Sequence, residues 1–142
     1  MSAVKIGIAV VERDDQFLIG PRGSDQVLAG KWEFPGGKVE TGESPSATAV
    51  RECGEETGLT VEVVEEMLVH TESYEYGTVE LHFFLCRVVT EKGALPDGSA
   101  GASPSHDADA APRAPFRWVH RSRLNEYEFP SGNRELLELV QS

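Results

Sequence analysis

Residues 36–59 read Gly-Gly-Lys-Val-Glu-Thr-Gly-Glu-Ser-Pro-Ser-Ala-Thr-Ala-Val-Arg-Glu-Cys-Gly-Glu-Glu-Thr-Gly-Leu, a glycine loop running into a segment of clustered acids. Ser44 is a good helix N-cap, and Pro45 suits the first helical position, where its missing N–H costs nothing. Gly58, followed by the apolar Leu59, is the expected stop. The spacing predicts a helix of about three turns between them. Ala49 and Cys53 form its apolar stripe, with Val50 at the margin, and Gly54 is expected to allow close approach to a neighbour. Glu52, Glu55 and Glu56 stand at i, i+3 and i+4 and stack on another face. Carboxylates so close repel unless something positive lies between them, and hard divalent cations take oxygen ligands. Without their neighbours, Glu55 and Glu56 would read as a solvated helix face, and Glu43 with Arg51 as a surface pair worth about 0–1 kcal/mol.

Working outward, Val4 to Val11 and Gln16 to Gly20 are apolar runs around the polar turn Glu12-Arg13-Asp14-Asp15, which predicts strand, turn, strand. Turn residues from Pro21 to Asp25 lead into an ordered loop through Leu28, Trp32 and Phe34, whose aromatics are expected to pack into the core. Beyond the helix, Thr60 to Val64, Leu68 to Tyr74 and Thr78 to Val89 look extended, with Gly77 turning between the last two. From Gly93 to Pro115 the composition shifts to Ala, Gly, Ser, Pro and Asp, which predicts a long flexible loop in which His106, Asp107 and Asp109 are solvated. Phe116 to His120 returns to strand. Arg134 to Gln141 reads as a helix burying Leu136, Leu137 and Val140.

A chain of 142 residues fits one domain, 1–142, with a core that needs no disulfide. The net charge of −11 argues against gripping a nucleic-acid polymer or an anionic membrane through bulk electrostatics. It leaves room for a small phosphate ligand, because a bound cation reverses the local sign. Cys53 and Cys86 read as reduced core residues. No stretch has the pattern of a secretion signal or a membrane span, so the expected compartment is the cytoplasm.

Taken as a pattern, Gly37, five residues, Glu43, seven residues, Arg51-Glu52, an apolar position, one residue, Glu55-Glu56, one residue, Gly58 and Leu59 resembles the Nudix box. Seven fixed positions at ordinary usages would coincide by chance about once in 10⁸ starting points. Cys53 stands where the family prefers Ile, Leu or Val, and a buried thiol packs like a small hydrophobe. The resemblance implies an α+β fold, a mixed β-sheet sandwiched between helices. It also implies Mg2+-dependent hydrolysis, with Mn2+ as a substitute, of a nucleoside diphosphate linked to another group. Glu52, Glu55 and Glu56 would hold the metal together with the Gly36 carbonyl, and Glu52 would take the proton of the attacking water. Arg51 and Glu43 would pair in support, and Lys38 would approach a phosphate. Relatives carry a further metal carboxylate before the strand that here contains Trp118; the nearest acids are Asp107 and Asp109.

The segments around the box resemble the MutT-type branch, which removes oxidised purine nucleotides such as 8-oxo-dGTP. The likeness lies in Lys31 to Gly37, in Arg22 at the place of a base-contacting arginine, and in Phe129-Pro130-Ser131-Gly132-Asn133. Asn133 has two readings, a purine-edge contact through its amide and an N-cap of the helix starting at Arg134. Arg22 likewise reads as a base contact or a solvated turn residue. Phe34 is placed beside the base, with Tyr74 or Tyr76 closing the pocket. The expected product pair is a nucleoside monophosphate and pyrophosphate, from a monomer or homodimer. The alternatives are a CTP- or dCTP-type diphosphatase and a non-catalytic Nudix-fold nucleotide-binding module.

Overall fold

The computed structural model describes residues 3–22, 30–75, 77–89 and 111–141. Among these described residues seven strands, β1 (Val4–Arg13), β2 (Gln16–Pro21), β3 (Trp32–Glu33), β4 (Gly36–Lys38), β5 (Val61–Tyr74), β6 (Gly77–Val88) and β7 (Arg117–His120), form one mixed sheet. Among the described residues two helices flank it, α1 (Pro45–Thr57) and α2 (Arg134–Gln141). The main path runs β3-β2-β1-β6-β5, with β4 added to β1 and β7 to β2. β1 and β6 are parallel, from Val4 opposite Val79 to Val11 opposite Cys86, while the other pairings are antiparallel.

β1 is apolar on both faces because both are covered. Ile8 and Val10 point to one side, where Phe17, Ile19, Phe83 and Val119 meet Leu124, Leu136 and Val140. Ala9 and Val11 point to the other, where Leu18, Phe84 and Cys86 meet Ala49 and Cys53 of α1. The expected sandwich is thus formed by a period of two in the strands answered by helices on either side. Cys53 and Cys86 are buried free thiols, and burial pushes them up to about 11 and about 12. Among the described residues no helix is long and apolar enough to cross a membrane.

The structure corrects several local expectations. The two runs expected from Thr60 to Val64 and from Leu68 to Tyr74 merge into one long strand, β5, which starts at Val61 and whose ladder with β6 shifts register between Val63 and Glu65 and again between Glu66 and Leu68. The extra residues, Val64 and Met67, are bulges, and the polar Glu65-Glu66 between them hid the continuity. A 3-10 turn at Arg121–Glu126 was not expected; it buries Leu124 completely and starts where the His120 ring accepts from the Ser122 amide. Leu137 is half-buried rather than buried.

Gly54 does not mediate a close approach, since a Cβ there would meet only the Leu59 carbonyl, at 3.8 Å. Gly7 does. A Cβ at that position in β1 would fall 2.2 Å from the Pro45 carbonyl oxygen and 2.9 Å from Thr48 Cβ, so the start of α1 rests on bare backbone. Of the segment expected to be a loop, the greater part, with His106, Asp107 and Asp109, lies outside the described residues.

Candidate active site

The helix carrying the acids is closed at both ends by local chemistry. Ser44 Oγ accepts from the Ala47 amide at 3.2 Å, and Pro45 follows it. At the other end Gly58 takes the left-handed conformation, φ 81°, and donates to the Gly54 carbonyl at 2.9 Å. Other carbonyls of the last turn find partners as well. Thr57 Oγ1 donates to Cys53, the Arg113 side chain to Glu55 at 2.7 Å, and the Arg113 amide to Thr57 at 2.7 Å. A cation at a helix C-terminus also suits the helix dipole.

With Ala49 and Cys53 fully buried against the sheet, Glu52 and Glu56 are carried to the edge of α1 that faces β4. There the glycines make room. The Gly36 amide donates to Glu56 Oε1 at 3.3 Å, and a Cβ on Gly37 would lie 2.4 Å from Glu52 Oε2. Gly37 is therefore a cradle for the Glu52 carboxylate. Glu56 is pushed up to about 8, first by burial, then by the charges of Glu52 and Glu33 and by a hydrogen bond shared with Glu52. Glu33, on β3, is itself raised by burial against the pull of Arg22.

Arg51 organises the outer side. Its Nε and Nη2 donate to the two oxygens of Glu43, at 2.7 and 3.1 Å, a bidentate clamp between loop and helix. Thr48 Oγ1 adds a bond of 2.6 Å to Glu43, and these partners, Arg51 first, pull its carboxyl down to about 2. The Nη1 of Arg51 reaches Glu52 at 3.2 Å and both Glu55 oxygens at 3.3 Å.

Among the described residues no three acidic, histidine or cysteine side chains converge tightly enough to cage a metal ion. The donors nonetheless suit one. Glu52 and Glu56 are hard oxygen donors held close enough to share a proton, the electrostatic situation that a divalent cation relieves. Glu55 lies on the same helix, more than half exposed, with its carboxylate on Arg51.

The residues expected to recognise substrate are scattered. Arg22 is half-buried and paired with Glu33 at 2.8 Å, so it is not a freely solvated turn residue. Lys38 is exposed at the end of β4. Phe34 is 3% exposed and stacks on Phe129, ring centres 5.3 Å apart, while Trp32 packs edge-on against Tyr127. Tyr74 is exposed, and Tyr76 lies outside the described residues. Asn133 is 9% exposed and ends a 3-10 turn continuous with α2. Its Nδ2 donates back to the Pro130 carbonyl at 3.3 Å, the reverse of the accepting role an N-cap side chain plays.

Sequence reasoning passed over Glu33, Thr48 and Arg113. For Glu33 a signal existed: in an extended segment it must face away from Trp32 and Phe34, toward the acids of α1. For Arg113 none did, since its contact spans 58 positions.

Comparison with known proteins agrees with this geometry. The NUDIX domain pattern matches residues 1–140. An 8-oxo-dGTP diphosphatase of Escherichia coli K12 is 29% identical over 96% of this chain and 95% of its own length. A CTP pyrophosphohydrolase of the same organism is 37% identical, over 58% of this chain and 61% of that relative. In fold, a MutT protein from Methanosarcina mazei Go1 superposes with a TM-score of 0.73 at 22% identity, covering 97% of this chain and 92% of that one. The box at residues 37–59, the sandwiched mixed sheet and the match over nearly the whole sequence lead to one assignment: the chain belongs to the Nudix hydrolase family.

Proposed function

We propose that this chain hydrolyses a nucleoside triphosphate to a nucleoside monophosphate and pyrophosphate, using Mg2+ or Mn2+, and that oxidised purine nucleotides such as 8-oxo-dGTP are its preferred substrates. The observation that carries the reading is the Glu52–Glu56 pair seated on Gly36 and Gly37. Glu52, Glu56 and Glu55 would hold the cation, with the Gly36 carbonyl beside them. When bound, it neutralises phosphate charge and lowers the pKa of a coordinated water. Glu52 accepts the proton of the water attacking the β-phosphorus, and the Arg51 guanidinium 3.2 Å away stabilises its carboxylate form. Arg51 and Glu43 hold the glycine loop against α1, and exposed Lys38 meets a phosphate oxygen.

Preference for the oxidised purine is supported by the full-length match to an 8-oxo-dGTP diphosphatase. Arg22 and Asn133 are the proposed base contacts, with Phe34 and Phe129 as the apolar wall beneath. The partial match to a CTP pyrophosphohydrolase favours a pyrimidine triphosphate as the second reading. A panel of 8-oxo-dGTP, dGTP, CTP and dCTP with Mg2+, followed for pyrophosphate and for phosphate, tests both. The expected result is pyrophosphate release with the highest kcat/KM on 8-oxo-dGTP. A higher value on CTP or dCTP replaces the substrate, and absence of turnover on all four rejects hydrolysis in favour of a nucleotide-binding module.

A further inference from the structure

The imidazole of His70 sits where β5, the Ser131–Asn133 turn and α2 meet. Its Nε2 is 2.7 Å from Oε1 of Glu72 on the same strand, and its Nδ1 is 3.3 Å from Oε1 of Glu135 in the first turn of α2. A Cβ at Gly132 would fall 2.9 Å from Leu81 Cδ1 and 3.7 Å from His70 Cδ2, so the turn lies directly on these two side chains. The next residue is Asn133. Leu136 and Val140 hold α2 to the sheet by apolar burial, which is non-directional and sets depth more than orientation. The His70 bridge supplies direction at the end of the helix that carries the amide.

We propose that His70 is a positioning residue, whose ring ties β5 to α2 through Glu72 and Glu135 and thereby sets the height and angle at which Asn133 meets a nucleobase. This deepens the base-recognition reading given above and rests on it.

The bridge has a protonation requirement. An imidazole donates from both nitrogens only as the cation; the neutral ring keeps one N–H and turns a lone pair toward the other carboxylate. The charged groups facing the ring are Glu72 from β5 and Glu135 from α2, while β6 offers Leu81 and the turn offers Gly132. Hydrogen bonding to Glu72 comes first among the causes that raise the ring above its ordinary 6.5, and Glu135 adds to it against partial desolvation. The bridge is complete on the acid side and loses one bond as pH rises through the ring's raised pKa. Asn133 then gains freedom to tilt.

The test uses the full chain with Mg2+ and compares 8-oxo-dGTP with dGTP for wild type, His70→Gln and Glu135→Gln from about pH 6 to about pH 9, a window spanning histidine titration. At the acid end His70→Gln is expected to raise KM for 8-oxo-dGTP about three- to tenfold, the loss of a charge-assisted hydrogen bond, with a smaller change in kcat. Wild-type selectivity should fall with pH toward the level of the variant, whose own profile relative to wild type removes titrations common to both, including those of the substrate. Glu135→Gln, at the exposed end of the bridge, gives the same readout should His70→Gln fail to fold.

In parallel, NMR follows the His70 ring and the Asn133 side-chain amide. A common midpoint in wild type, lost in Glu135→Gln, supports the positioning role. A common midpoint with no change in selectivity supports the tie and refutes Asn133 as the base reader. Independent titration of the two groups overturns the proposal, as does wild-type selectivity in His70→Gln at every pH when Asn133→Ala has altered it.

Discussion

The two halves of the site, proposed to face the phosphates and the base, are built in contrasting ways. The first draws its groups from one stretch, Gly36 to Glu56, in which helix periodicity and two glycines bring Glu52 and Glu56 together. The second gathers Arg22, Phe34, His70 and Asn133 from separate elements, and its geometry exists only once β5, the 131–133 turn and α2 have packed. A constellation ordered by local periodicity keeps its chemistry while the rest of the chain varies. One ordered by packing changes whenever a packed neighbour does, and that freedom is how a single phosphate chemistry can serve different bases.

The contrast is tested most severely at Glu52. Replacing it with Gln should lower kcat by about 10²–10⁴, the usual contribution of a general base, while thermal unfolding stays near wild type. A rate within a few-fold of wild type would remove Glu52 from that role. Gly37→Ala comes next: its Cβ would press within 2.4 Å of the Glu52 carboxylate and displace it. Misplacement by about 1 Å commonly costs about 100-fold, so kcat/KM should drop on all substrates alike, whatever the base.

In the other half, Asn133→Ala should reduce the preference for 8-oxo-dGTP over dGTP about tenfold, the cost of about one hydrogen-bonding group, and slow a generic triphosphate far less. Equal losses on every nucleotide would make Asn133 a structural residue of the turn and blur the division between the halves.

The smallest effect is one of stability. Glu56 is held near 8 when folded against an ordinary 4.5, so the neutral carboxyl is favoured in the fold. The stability this lends is fully present below about pH 4.5 and is lost as pH rises through about 8. Without metal, Tm should therefore fall across that interval, by less in Glu56→Gln, and Mg2+ should raise Tm more at the alkaline end than at the acid end. Glu43 works in the opposite sense at lower pH: pulled down to about 2, it stabilises above the ordinary carboxylate range and loses that contribution as pH falls toward 2. A Mg2+ shift independent of pH would mean that the cation does not displace the Glu56 proton.

What the sequence made legible follows the same division. The limits of α1 were readable because Ser44, Pro45 and Gly58 act on their immediate neighbours, and α2 was readable from its apolar spacing. β5 was read as two strands because its bulges break the alternation by which strands are recognised. The Arg121–Glu126 turn is too short to show a period, and its anchor is a packing event, Leu124 in the core. Asn133 could be read two ways because an asparagine before a helix looks the same from the sequence whether its amide accepts from the helix or donates to Pro130. Arg113 acts on α1 from a position that no local rule connects to it.

Gly7 has a consequence for how the enzyme can change over time. It lies in the first strand and bears no side chain, yet the carbonyl of Pro45 rests where its Cβ would be. The residue acts as a spacer of zero thickness, setting how far the acid-bearing helix stands above the sheet. Any larger residue would raise that helix and carry Glu52 away from its seat on Gly37. The tolerances of the proposed metal site are therefore set partly at a position about 45 residues upstream that a survey of reactive groups would never visit.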